Sequence, residues 1–215
     1  MVSQRDLSRP RDIKSRVPFG HSDNDGGFTA CFAIGEIFKY AALKKENGLL
    51  DPETQKARKS AFDSSEATLL LMYLPGRGDG YVARTYVTSA EPVPDDGLFF
   101  KKNGQKAVCI NTTAARRRGM VGIEVKADGH IPDRLAKHYR DEGFSDTDIT
   151  YKGDTSSDEV TLHFLHILVA HEFLGAEDSE YDELLCEAAK NTLSHIIEHG
   201  YQLHECDGKP TTWAK

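Results

Sequence analysis

The stretch Tyr151 to Leu165, YKGDTSSDEVTLHFL, runs from an acidic, hydroxyl-rich segment directly into an apolar one. Ser156 and Glu159 match the S-x-x-E capping box, in which both side chains accept backbone N–H groups at a helix start. Thr155 and Asp158 would form the same pair one residue earlier. Only one pair can occupy the cap, so a carboxylate remains for other chemistry. Three carboxylates surround this helix start: Asp154, Asp158 and Glu159.

Helical spacing predicts a second feature in the same segment. Glu159, His163 and His166 follow one another at i, i+4 and i+7, which places them on one stripe of a helix. A carboxylate beside imidazoles can orient a general base, and such a set can also hold a transition metal. No HExxH signature is present, so a metal is not predicted here. We take Asp158, Glu159 and His163 as catalytic candidates, and buried core histidines as the alternative.

A second acidic run, GHSDNDGG at Gly20 to Gly27, precedes the first strongly helical pattern. Asp23, Asn24 and Asp25 offer several oxygen atoms there, and the flanking glycines allow a ligand to approach the backbone. The D-x-[DN]-x-[DN]-G pattern is not met, which excludes an EF-hand loop. Calcium could still bind these oxygens, and an Asx turn with a helix N-cap is the alternative. No other cofactor is predicted.

Cationic and aromatic residues supply candidates for substrate binding. Arg84, Lys152 and Lys209 can each neutralise an anionic substrate group. Trp213, the one tryptophan of the chain, can stack on the apolar face of a sugar ring, although core packing explains it equally well.

The composition narrows the class of protein. With 215 residues, 39% of them hydrophobic and 28% charged, the chain can fold around a substantial core. Its formal charge of −7 gives no reason to expect a nucleic-acid partner, and no apolar stretch is long enough for a membrane span. The four cysteines form no CxxC pair, which predicts buried free thiols. The first residues do not form a signal peptide; a periplasmic or secreted location would fit a mature form or a fragment.

Apolar periodicity and stop signals predict two helical hairpins separated by a region of short strands. The first hairpin joins Phe28–Glu46 to a helix that begins at Asp51–Pro52 and ends near Tyr73. The remaining predicted segments are a loop and short-strand excursion at 75–129, a short helix at 131–142, and a second hairpin of helices at 155–174 and 180–198.

The helix predicted at 155–174 has apolar residues all round its axis, which is typical of a helix buried on most sides. Stacked hairpins would bury it in this way. We therefore predict a mainly α fold built as an (α/α) toroid, with 1–215 forming one domain or its N-terminal part. Two hairpins are too few to close a ring, so the toroid is expected to be incomplete.

Four segments carry a resemblance to a known group of proteins: HSDNDGGFTACFAIGEIFKYA, GYVARTYV, YKGDTSSDEVTLHFL and GYQLHECDGKPTTWAK. In this order they resemble a largely uncharacterised bacterial family of six-hairpin-glycosidase-like α/α-toroid proteins of glycan-degrading systems. The similarity covers most of the chain outside Glu91 to Asp128, and KGDTSSDE is its most specific segment. It implies a helical toroid whose loops line a carbohydrate cleft, a relationship to rhamnose–glucuronate lyases, and further helices beyond Trp213.

Two enzyme chemistries and one binding role fit these residues, with an oligo- or polysaccharide as the partner. A uronate lyase needs a cation such as Arg84 to neutralise the sugar carboxylate, and a base such as His163 or Tyr151. A glycoside hydrolase needs two carboxylates, here Asp25 with Asp158 or Glu159. In a non-catalytic glycan-binding or scaffold domain the acidic runs are only caps and turns. We favour the lyase, and expect both acidic runs and Arg84 to converge on one cleft in an enzyme.

Overall fold

The computed structural model describes residues 24–211, which form six α-helices, two short 3₁₀ helices (Asp146–Asp148 and Gly175–Glu177) and a small antiparallel sheet. Asp51 and Pro52 begin the second helix as the sequence predicts, because the Asp51 carboxylate accepts the Thr54 backbone N–H at 2.9 Å. In chain order the helices and strands are α1 (Asp25–Asn47), α2 (Pro52–Tyr73), β1 (Tyr86–Val87), β2 (Phe99–Asn103), β3 (Lys106–Cys109), α3 (Thr113–Arg118), β4 (Glu124–Lys126), α4 (Asp133–Arg140), β5 (Thr150–Lys152), α5 (Ser157–Leu174) and α6 (Ser179–Glu198).

The two predicted hairpins, α1–α2 and α5–α6, are present and pack against each other through α1 and α5. Near the start of both helices a Cβ added at Gly27 would lie 2.9 Å from Leu162. Further along, the rings of Phe38 and Phe173 meet with centroids 5.5 Å apart. Gly27 and Leu162 are as far apart in the sequence as Phe38 and Phe173. The two helices therefore advance in the same direction, so α1 and α5 run parallel and the hairpins lie side by side.

The excursion at 75–129 contains short strands, as predicted, but they belong to a sheet that the sequence did not reveal. The strand order is β1-β5-β2-β3-β4, and every pair is antiparallel. β5 comes from outside the excursion and lies between β1 and β2, with Tyr151 opposite both Tyr86 and Phe100. This strand therefore joins the excursion to the segment that enters α5.

A single large cluster of buried apolar residues connects the helices to the sheet. It contains, among others, Ile37 of α1, Leu70 of α2, Phe100 of β2, Leu135 of α4 and Leu185 of α6. The helices and the sheet therefore share one core in the described part of the chain.

Two expectations about burial were wrong. α5 is not buried on most sides: Leu165 is 47% exposed and Leu168 is 67% exposed. Of the four cysteines, Cys31 and Cys186 are exposed and only Cys109 and Cys206 are buried. The toroid stays a prediction. None of the described helices is both long and apolar enough to cross a bilayer.

Candidate functional site

Glu159, in the first turn of α5, points at the N-terminus of α1 instead of capping its own helix. Ser156 occupies the N-cap position of α5, but its side chain makes no capping hydrogen bond. The predicted capping box was therefore wrong. The S-x-x-E spacing is present, but the Glu159 carboxylate that would cap α5 contacts the first turn of α1 instead.

The glycines at the start of α1 make this contact possible. A Cβ added at Gly26 would lie 2.5 Å from Glu159 Oε2 and 2.8 Å from the carbonyl oxygen of Arg84. A Cβ at Gly27 would lie 3.3 Å from Glu159 Oε1. The first turn of α1 thus has room for the carboxylate only because these two residues have no side chain.

Glu159 is fully buried, and this burial raises its pKa to about 7. The Arg84 guanidinium and the Gly27 N–H lower the pKa only in part, while the carboxylates of Asp25 and Asp158 raise it further. Neither Glu159 oxygen has a hydrogen bond of normal geometry. At neutral pH a large fraction of this carboxyl group is therefore protonated.

Arg84 joins the two acidic runs. Its Nη2 donates to the Asn24 side-chain oxygen at 3.1 Å, and its Nη1 lies 3.7 Å from Asp154 Oδ2. Asp25 follows Asn24 directly and, like Asp154, is almost completely buried. The structure therefore brings together Asn24, Asp25, Arg84, Asp154 and Glu159, which lie far apart in the sequence.

Several buried polar atoms around this site make no hydrogen bond with the protein. Folded proteins pair nearly all such atoms, so a cluster of them indicates a place that can bind a polar ligand or ordered water. These atoms are Arg84 Nε, Asp154 Oδ1, Thr155 Oγ1, Ser156 Oγ, both Glu159 oxygens and both ring nitrogens of His163.

A cleft of about 460 Å³ opens beside Asp25, Gly26 and Arg84. Its other walls combine aromatic rings with carboxylates and an imidazole. They include Tyr86, Glu91, His138, Tyr139, Glu142 and Phe144. The sequence did not point to His138 or Tyr139. Their segment predicts only a short helix, and the spacing of its residues does not show which part of the protein that helix packs against.

His163 and Tyr151 do not line this cleft, although both were candidates for the base. His163 is completely buried, which lowers its pKa to about 4. Tyr151 is also completely buried in β5, where its hydroxyl lies 3.4 Å from Cys206 Sγ and burial raises its pKa. Glu159 does not line the cleft either, but its carboxyl group lies against Gly26, which does.

Three other candidates lie away from the cleft. The Lys152 ammonium is buried 6.0 Å from the centroid of the Phe99 ring. Asp158 is exposed on α5, and Lys209 is exposed in a turn where its ammonium pairs with Asp207 at 3.0 Å. Asp23 and Trp213 lie outside the described residues, so calcium at Asp23 to Asp25 stays a prediction.

Comparison of the chain with protein-family models, curated proteins and solved structures finds no match. The chemistry of the site itself is therefore the basis for a functional proposal.

Proposed function

We propose that the protein hydrolyses a glycosidic bond in a complex carbohydrate, with Glu159 as the proton donor and Asp25 as its carboxylate partner. The observation that carries this proposal is the fully buried, unpaired Glu159, whose pKa is raised to about 7, beside the Asp25 carboxylate. Glycosidases need two carboxyl groups of this kind, one kept protonated by its surroundings and one ionised.

In the proposed reaction Glu159 gives its proton to the glycosidic oxygen as the bond to the anomeric carbon breaks. Asp25 either attacks that carbon or takes a proton from the attacking water. Glu159 has no solvent exposure, so the first turn of α1 must shift to admit the substrate oxygen. Gly26 and Gly27 make this turn the compliant part of the helix.

The walls of the cleft support a sugar as the substrate. Tyr86 and Phe144 offer ring faces for the apolar side of a pyranose, and Glu91 and Glu142 offer acceptors for its hydroxyl groups. Arg84 adds a cation at the same cleft, which favours a glycan that contains a uronic acid.

Arg84 also supports a second candidate, the polysaccharide lyase expected from the sequence. Elimination needs a cation to neutralise the uronate carboxylate, and Arg84 is positioned for that. It is the weaker candidate because burial lowers the pKa of His163 to about 4 and raises the pKa of Tyr151 further above neutral, so neither is a suitable base at pH 7.

The test is an assay on neutral and uronate-containing polysaccharides that follows reducing ends and ultraviolet absorbance together. We expect reducing ends without absorbance, and a rate that falls above a pH of about 7 as Glu159 ionises. Glu159→Gln and Asp25→Asn should each lose roughly 10²-fold or more in rate.

Asp158→Asn is the matched control, because Asp158 is the exposed neighbour of Glu159 on α5 and should be dispensable. An unsaturated product that absorbs ultraviolet light would show that the reaction is an elimination and not a hydrolysis. Loss of activity in Asp158→Asn but not in Glu159→Gln would reject the assigned acid.

A further inference from the structure

Three side chains with metal-binding atoms meet where α5 ends beside α6. His171 lies near the end of α5, and Asp182 and Cys186 are one turn apart on α6. His171 Nδ1 is 2.6 Å from Asp182 Oδ1, and one ligand atom from each of the three residues lies within 4.8 Å of the others. None of the three lines the cleft described above.

We propose that His171, Asp182 and Cys186 bind a divalent transition metal of the Zn²⁺ class, with water completing its coordination. Imidazole nitrogen, carboxylate oxygen and thiolate sulfur are the donors that Zn²⁺ takes in proteins, whereas Ca²⁺ and Mg²⁺ take oxygen. In a tetrahedral site such donors lie roughly 3 to 4 Å apart. Small side-chain rotations are therefore enough to close this trio around an ion.

The surroundings also favour a cation. The trio lies at the C-terminal end of α5, where the helix dipole attracts positive charge. Gly175 follows α5, and a side chain there would collide with the Asp182 carboxylate. The glycine thus lets Asp182 lie against the end of α5, next to His171.

Metal binding at this site releases protons and changes no oxidation state. Without metal, His171 Nδ1 and Asp182 Oδ1 are joined by a hydrogen bond. A metal bound at Nδ1 displaces that bond, and the single proton of the neutral imidazole is then carried on Nε2. Cys186 loses its thiol proton and binds as thiolate. Affinity should therefore rise with pH.

The test uses the full chain after chelator treatment, titrated with Zn²⁺ against a chromogenic chelator and, separately, with Co²⁺. We expect one equivalent of Zn²⁺ and a thiolate-to-cobalt charge-transfer absorption. Removing a residue that only hydrogen-bonds to a metal ligand lowers metal affinity about 10–100-fold. His171→Ala and Cys186→Ser remove ligands themselves, so each should lower Zn²⁺ affinity by at least that factor. Cys186→Ser should also abolish the charge-transfer absorption.

Cys31→Ser is the matched control, because Cys31 is the other exposed free cysteine and lies on α1. It should bind metal as the unmodified protein does. Circular dichroism of each variant checks that it is folded.

A second group of histidines provides the competing site. The rings of His195 and His199 have centroids 4.3 Å apart, and those of His199 and His204 are 4.0 Å apart. If His199→Ala removes zinc binding and His171→Ala does not, the proposed site is wrong. It is equally wrong if the folded protein binds no stoichiometric Zn²⁺, or if Co²⁺ gives no thiolate absorption. None of these readouts requires enzymatic activity.

Discussion

Glu66 on α2 and Glu159 on α5 are both buried carboxylates, yet their surroundings differ in every other respect. Glu66 is 1% exposed and Glu159 is 0% exposed. Burial alone would raise the pKa of Glu66, but hydrogen bonds from His138, Lys137 and Arg134 outweigh it and lower the pKa to about 2. Glu159 has no comparable partners, and burial raises its pKa to about 7.

The difference separates a carboxylate that holds the fold together from one that is available for chemistry. Arg134 Nε and Lys137 Nζ lie 2.7 and 2.8 Å from the two Glu66 oxygens, so its charge is compensated inside the protein. The Glu159 charge is not compensated in this way, and ionising it costs free energy of folding. A buried acid without cationic partners is therefore the stronger candidate for proton transfer.

The largest expected effect comes from breaking the compensated site. Arg134→Ala should lower the free energy of unfolding by about 3 kcal/mol or more, because a buried charge loses its bonded partner. Urea unfolding at pH 7 measures it. Arg140→Ala, on the same helix, is the control: its ion pairs with Asp133 and Asp146 lie at the surface, and each should contribute less than about 1 kcal/mol. Equal losses in both variants would contradict the comparison.

Opposite pH dependences should sharpen the comparison. The pKa of Glu159 rises from 4.5 in the unfolded chain to about 7, so the folded state holds its proton more tightly and stability falls as pH rises between these values. The whole effect is about 3 kcal/mol. Glu159→Gln should match the unmodified protein in stability near pH 4.5 and exceed it at pH 8.

Glu66 should behave in the opposite way. Its folded pKa of about 2 lies below the unfolded value of 4.5, so its contribution is present above pH 4.5 and is lost as pH falls towards 2. Glu66→Gln should therefore be less stable than the unmodified protein at pH 7. Urea unfolding across this pH range checks both variants, and parallel pH curves for the two would count against the assignment.

A smaller effect is expected at the contact that holds Glu159. Gly26→Ala forces a Cβ against Glu159 and the Arg84 carbonyl, and should cost about 1–3 kcal/mol of stability. Gly35→Ala lies in the same helix with open space around it, and should stabilise the protein by about 0.5–1 kcal/mol. Thermal unfolding of both variants measures the difference. If both substitutions stabilise α1, the close approach of Glu159 to Gly26 is wrong.

Local signals predicted the helices well, and they failed where distant segments meet. Asp51 and Pro52 mark the start of α2, and Gly48 marks the end of α1. These signals act through contacts within a few residues, so they can be read from the sequence. β5 is only three residues long, and its partner strands lie in a distant part of the chain, so no local pattern marks it.

The site was predictable in its residue types but not in its geometry. Arg84 does contact both acidic runs, through Asn24 and Asp154, but of the residues expected to converge on one cleft only Asp25 and Arg84 line it. The helical stripe of Glu159 and His163 was also real, but both side chains face the interior. Which face of α5 is covered depends on α1, and the spacing within α5 alone cannot reveal it.

The parallel packing of α1 and α5 has a consequence for the order in which the protein matures during synthesis. The segment that contains Asp25 is synthesised first, and Glu159 is added only after α2 and all five strands of the sheet. Contacts between such distant residues form late, because the chain between them must first be ordered. The carboxylate pair is therefore complete only after the start of α5 has been synthesised, and nascent chains that stop before it carry the glycine turn of α1 without its acid.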